Sequence, residues 1–205
     1  ERRIALNTQY GIPLPFCSAV DPGDGEPGDG ETDPGDSPEH GLLSGTVTNA
    51  QTNQRLAGVE VRLRDSANQV VRTTSDANGN YSFDVPAGTY HLQVNHSGYI
   101  AYSVRIEIAE HGTHSQNIGI SEVMSGTEYR AVLTWGAAPS DLDSHLLGSN
   151  SWGTYHVAYF QKSVWNLTNT RKVAELDVDD TSSYGPETTT FEVDEDGRYL
   201  FFVHN

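Results

Sequence analysis

The sequence predicts an all-β chain of two antiparallel β-sandwich modules in tandem after a disordered acidic linker. Three observations predict it. Apolar and polar residues alternate over short runs, which is the period of a strand with one face buried. Clusters of Gly, Pro, Asn and Asp separate those runs, and no segment carries a helical period. The 20 Gly, 9 Pro and 10 Tyr, with 36% hydrophobic residues, suit short strands and many turns.

Residues 1–20 read as a tail or the end of an upstream region. Leu14-Pro15-Phe16-Cys17 matches a lipoprotein cleavage box only in part, because Phe16 is too large for the position before Cys. Cys17 is the only cysteine, so an intrachain disulfide is excluded. Residues 21–40 hold eight acids and no base among Gly and Pro, a composition that stays extended and solvated as a linker. The formal net charge of −16 is unevenly spread. Residues 41–120 are near balance, with five Arg against six acids, whereas residues 121–205 hold thirteen acids against five bases. Such acidity argues against a nucleic-acid partner, and no run of 18 apolar residues predicts a transmembrane segment. It suits an exported protein in the extracellular space, at the cell surface or in the periplasm, with further domains of the same polypeptide.

Residues 41–120 predict seven strands: Leu43 to Val47, Val59 to Leu63, Val70 to Thr74, Tyr81 to Val85, Tyr90 to Val94, Ala101 to Ile108 and Ser115 to Ile120. Val61, Leu63, Val71, Phe83, Leu92 and Ile106 are among the inward candidates. Gly45-Thr46-Val47-Thr48, Leu56-Ala57-Gly58-Val59-Glu60-Val61, Asp76-Ala77-Asn78-Gly79-Asn80-Tyr81-Ser82-Phe83 and Pro86-Ala87-Gly88-Thr89-Tyr90 follow one another in order. In this order they resemble the carboxypeptidase regulatory-like domain, a transthyretin-like sandwich. That resemblance implies an accessory module without catalysis of its own.

Residues 121–205 predict six more strands: Tyr129 to Trp135, Asp141 to Leu146, Tyr155 to Phe160, Ala174 to Val178, Thr188 to Val193 and Tyr199 to Val203. Gly148 to Gly153 and Ser163 to Thr170 read as loops, and Asp194-Glu195-Asp196-Gly197 as a hairpin turn. Leu133-Thr134-Trp135, Asp141-Leu142-Asp143 and Gly185-Pro186-Glu187 together are similar to a poorly characterised bacterial secreted and surface-protein domain. The first two also loosely resemble the Ca²⁺-binding tellurium-resistance stress-protein domain.

Within this segment the acids alternate with apolar residues. Strand geometry puts Asp141, Asp143 and His145 on one face and pairs Asp177 with Asp179 around Val178. Rows of like charge repel unless a cation sits among them. Asp141, Asp143, Asp177, Asp179, Asp180 and Glu187 are therefore candidate ligands for Ca²⁺, which takes six to eight hard oxygen donors. His145, His156 and His204 extend the set and, with the carboxylates, make Zn²⁺ or another transition metal the alternative. Trp152, Tyr155, Trp165 and Tyr184 are candidate stacking residues for a surface glycan, a protein ligand being the other choice of partner. Neither a His-Glu-x-x-His helix nor a Gly-x-Ser-x-Gly elbow occurs. The sequence thus predicts a non-catalytic pair of surface modules for adhesion or ligand binding. The alternative is an accessory region of a secreted protease or glycosidase whose catalytic domain lies elsewhere.

Overall fold

Alternation dominates the architecture. The computed structural model describes residues 39–205 apart from 125, 151–152 and 194–196, so Cys17, linker residues 21–38 and Trp152 lie outside the described residues. Every helix or strand element among the described residues is a strand.

In the first sheet pair, β1 (His40–Asn49) runs antiparallel to β4 (Asn80–Pro86) and is flanked in parallel by β7 (Thr113–Ser115) and β8 (Ile118–Ile120). The facing sheet has the antiparallel order β3 (Val70–Thr74), β2 (Glu60–Arg64), β5 (Gly88–Val94), β6 (Tyr102–Ile108). Every second residue points inward. Tyr81, Phe83 and Val85 from β4 meet Tyr90, Leu92 and Val94 from β5, with Leu43, Val61, Leu63, Ile106 and Ile118 in the same core. Val71, expected inward, is exposed, because β3 is an edge strand covered on one side only. The single strand expected from Ser115 to Ile120 is broken at Gln116-Asn117. There the Asn117 side-chain oxygen accepts the Thr46 N–H at 3.1 Å in place of a backbone carbonyl. Asp76 accepts backbone N–H groups of Asn78 and Asn80, both at 2.8 Å, which is turn closure.

The second pair joins a sheet β12 (Ser163–Trp165), β13 (Lys172–Val178), β14 (Glu187–Glu192), β9 (Glu128–Leu133) to a sheet β11 (Gly153–Val157), β10 (Asp143–Asn150), β15 (Arg198–His204). All neighbours are antiparallel. Its buried cluster is small: Leu146, Val157, Ala174 and Leu176, with Phe191, Tyr199 and Phe201 partly covered.

Four expectations are corrected here. β9 ends at Leu133, and Trp135 leaves the strand to donate its indole N–H to the Pro139 carbonyl at 3.1 Å. β10 begins at Asp143, so Asp141 belongs to the preceding loop. The stretches expected as loops carry the β10–β11 ladder and β12, respectively. The turn expected at Asp194–Gly197 falls on residues 194–196, outside the described residues; the strands before and after it, β14 and β15, lie in different sheets.

Polar bridges and one close approach join the two sheet pairs. Arg130 donates to Ser121 Oγ at 2.8 Å, and Gln51 donates to Asp177 at 3.3 Å. Gly119 lies so near Pro186 that a Cβ there would stand 3.2 Å from the ring carbons.

Candidate functional site

Two loops and the strand starts they lead into carry five of the six candidate carboxylates, and the backbone ties the loops side by side. Ser183 N–H donates to the Ser140 carbonyl at 2.7 Å, and Tyr184 N–H to the Gly136 carbonyl at 3.1 Å. Ser183, Tyr184 and Gly185 all have positive φ (75°, 68° and 68°), a conformation that non-glycine residues keep only when surroundings impose it. The Gly185 position admits nothing larger. A Cβ would come within 2.8 Å of the Trp135 ring and 2.9 Å of the Leu133 carbonyl oxygen. The Asp141–Asp143 and Asp179–Glu187 stretches thereby become neighbours.

Glu187 sits beneath them, 1% exposed, at the start of β14 and facing β10 across the core. Its Oε1 accepts both the Ser144 backbone N–H (2.8 Å) and the Ser144 hydroxyl (2.6 Å). Its Oε2 is buried with no hydrogen-bond partner among the described residues. Burial pushes the carboxyl pKa up to about 7; the Ser144 bonds oppose that shift, and the Asp179 and Asp143 charges add to it.

The remaining acids divide. Asp179 pairs with Lys162 at 2.6 Å. Asp180 accepts the Ser182 N–H at 2.8 Å and its hydroxyl at 2.9 Å, closing the loop. Asp177 does not join the group. Its carboxylate accepts from Thr190 Oγ1 at 2.6 Å and from Gln51 Nε2, and burial raises its pKa despite those bonds. The ladder shifts register between Leu176 and Val178, and this local irregularity separates the two acids expected to act together. Among the described residues no group of three or more His, Cys, Asp or Glu side chains already stands at metal-ligand spacing.

On the outer face of the β11–β10–β15 sheet, His145 and His156 are joined, with Nδ1 of the former 2.8 Å from Nε2 of the latter. The ring centroids of His145 and His204 are 6.2 Å apart. The aromatic candidates are scattered over separate elements. Tyr155 packs beside the small core and lines a groove of about 530 Å³ together with Leu147, His156 and Leu200. Trp165 is exposed on β12 with the Lys172 ammonium 5.7 Å from its ring centre, and Tyr184 is half-buried in the left-handed loop.

Sequence reasoning missed Ser144, Lys162 and Phe202. Ser144 had a signal: between Asp143 and His145 it falls on the inward face of β10, where a polar residue needs a buried partner.

A 64-residue stretch of the chain is 34% identical to TonB-dependent receptor P3 of Formosa agariphila, spanning 31% of this chain and 6% of that receptor's length. The solved structure of the major pilin BcpA of Bacillus cereus overlaps 42% of this chain and 31% of its own, at 18% identity and a TM-score of 0.37. A DUF3823 family protein of Parabacteroides merdae overlaps 77% of this chain and 81% of its own, at 14% identity and the same TM-score of 0.37. The family model of the carboxypeptidase regulatory-like domain matches residues 43–121, the stretch that folds as β1 from Leu43 onward through β8.

Proposed function

We propose that this chain is a non-catalytic pair of β-modules from an exported, surface-associated multidomain protein. In this reading its task is adhesion or ligand binding, and Ca²⁺ held at the tied acidic loops stabilises the second sheet pair. The observation that carries the cation is Glu187. A buried carboxylate with one oxygen left without a partner among the described residues, next to the charges of Asp143 and Asp179, is costly unless a proton or a cation neutralises it. Oxygen donors from Asp141, Asp143, Asp179, Asp180 and Glu187 suit a hard cation, and Lys162 already supplies one positive charge at the rim. The small core of the second sheet pair gives a cation something to do, since modules with little buried apolar area are commonly stapled by a metal. The regulatory-like match and the receptor segment support the surface-module part of the reading.

Thermal unfolding of the full chain with millimolar Ca²⁺ against excess chelator tests this reading. A cation present at about a hundred times its dissociation constant adds about 2.7 kcal/mol, equivalent to about 5–10 °C in a chain of this size. The Glu187→Gln variant is expected to lose that response. An unchanged melting temperature in the wild type would overturn the Ca²⁺ reading.

A further inference from the structure

The outer face of the β11–β10–β15 sheet carries a second cluster, of three histidines, that shares Asp143 alone with the acidic loops' donor set. β10 alternates, so Ser144 and Leu146 turn inward while Asp143 and His145 turn outward. The register sets His204 opposite Asp143, Phe202 opposite His145, and His156 opposite Leu147. His156, His145 and His204 thus stand on one diagonal across three strands. The His145 ring is 9% exposed and lies flat on Phe202, with ring centres 4.8 Å apart and planes 13° from parallel.

We propose that this face binds a borderline divalent transition ion, of the Zn²⁺ or Co²⁺ class, through His145 Nε2, His204 and Asp143, with His156 holding the His145 ring in its ligating tautomer. A purely structural histidine pair accounts for half of the arrangement. One ring nitrogen of each partner is satisfied when His145 Nδ1–H donates to His156 Nε2. Nothing among the described residues then meets His145 Nε2, which is buried and without a hydrogen-bond partner. A neutral imidazole with one nitrogen fixed by a hydrogen bond and the other carrying a free lone pair is the form a metal requires. Two imidazoles and one carboxylate suit a borderline ion, whereas the oxygen-only loops suit a hard one. His204 is exposed and Asp143 half-buried, and in this proposal both side chains turn at the sheet surface to reach the ion.

This inference does not rest on the Ca²⁺ reading: Glu187→Gln tests that reading alone and His204→Ala this one alone, whereas Asp143→Asn touches both. Tag-free full chain is titrated with Zn²⁺ by calorimetry and with Co²⁺ by visible absorption, which reports the ligand field directly. The expected result is one equivalent bound at micromolar strength. Both His204→Ala and Asp143→Asn should weaken it at least about tenfold, with loss of the Co²⁺ band; His156→Gln should weaken it by about 10–100-fold, as changes behind a ligating histidine do. Glu187→Gln should leave it unchanged. The exposed His204 is the decisive position, because replacing the buried His145 would also disturb folding. Absence of binding below millimolar concentration would overturn the proposal. So would unchanged affinity in His204→Ala or in Asp143→Asn, since the ion would then sit on other histidines such as His40 or His111.

Discussion

Ser144 and Glu187 are 43 residues apart in the chain and on opposing sheets, yet both polar hydrogens that Ser144 offers end on one oxygen of Glu187. Two bonds on Oε1 and, among the described residues, none on Oε2 make an unequal carboxylate, half satisfied by the fold and half left for something else. The bonds favour the charged form and burial disfavours it; burial wins, which is why the carboxyl titrates near 7.

The first prediction concerns pH. Glu187 ionises near 4.5 in the unfolded chain and near 7 when folded. Between those values the native state holds a proton that the unfolded state has released, so raising the pH destabilises the fold. This contribution is fully present below about pH 4.5 and gone above about pH 7, and the difference of two to three pH units corresponds to about 3 kcal/mol. His145, whose pKa is lowered, acts oppositely, losing stability as the pH falls through its ordinary value of 6.5. Subtracting the pH profile of Glu187→Gln from that of the wild type isolates the Glu187 contribution. In chelator, urea unfolding is expected to give a difference that shrinks from pH 5 to pH 8. With Ca²⁺ the decline should flatten, because a cation favours the ionised form.

Ser144→Ala removes the 2.6 Å hydroxyl bond and leaves the backbone N–H as the one remaining donor to Oε1. Hydrogen bonds to charged groups are worth about 1.5–3 kcal/mol, against about 1 for neutral ones. The variant is therefore expected to lose more stability at pH 8 than at pH 5 when both are measured in chelator. Equal losses at the two pH values would mean that the carboxyl is neutral throughout.

The first sheet pair was legible almost strand for strand, because its apolar residues alternate without interruption and Asp76-Ala77-Asn78-Gly79-Asn80 closes a turn with its own side chains. The second was legible in its strands and much less in its site. Alternation placed Asp143 and His145 together on one face, but Asp141 fell in a loop, where period two has no meaning. The same rule paired Asp177 with Asp179, and a register shift beside Val178 sent Asp177 to Thr190 and Gln51 instead. The pairing of His145 with His156 depends on which strands neighbour one another, a long-range fact that local pattern does not encode.

Gly185 holds the two acidic loops together, so its replacement is expected to damage both stability and cation response. At φ of 68° an alanine carries a left-handed penalty of about 1–2 kcal/mol. Its Cβ would also press on the Trp135 ring and the Leu133 carbonyl oxygen, neither of which yields easily. We expect Gly185→Ala to lose about 2–5 kcal/mol in urea unfolding, combining that penalty with an overpacking cost of about 1–3 kcal/mol. The gain in melting temperature on adding Ca²⁺ should fall with it.

The contact between the sheet pairs offers a final test, centred on Gly119 and Pro186. A Cβ at Gly119 would stand 3.2 Å from two ring carbons of Pro186 and 3.6 Å from Ala50 Cβ. An alanine there asks the proline to give by a few tenths of an ångström, and a valine asks for more than the close packing allows. Gly119→Val is expected to cost about 1–3 kcal/mol, the usual range for overpacking. If the cost arises at this contact, shortening the partner relieves it, so Pro186→Ala in the Gly119→Val background should show a coupling of at least about 0.5 kcal/mol. Strict additivity in that double-mutant cycle would place the strain elsewhere in β8 and leave Pro186 without a role in joining the two halves.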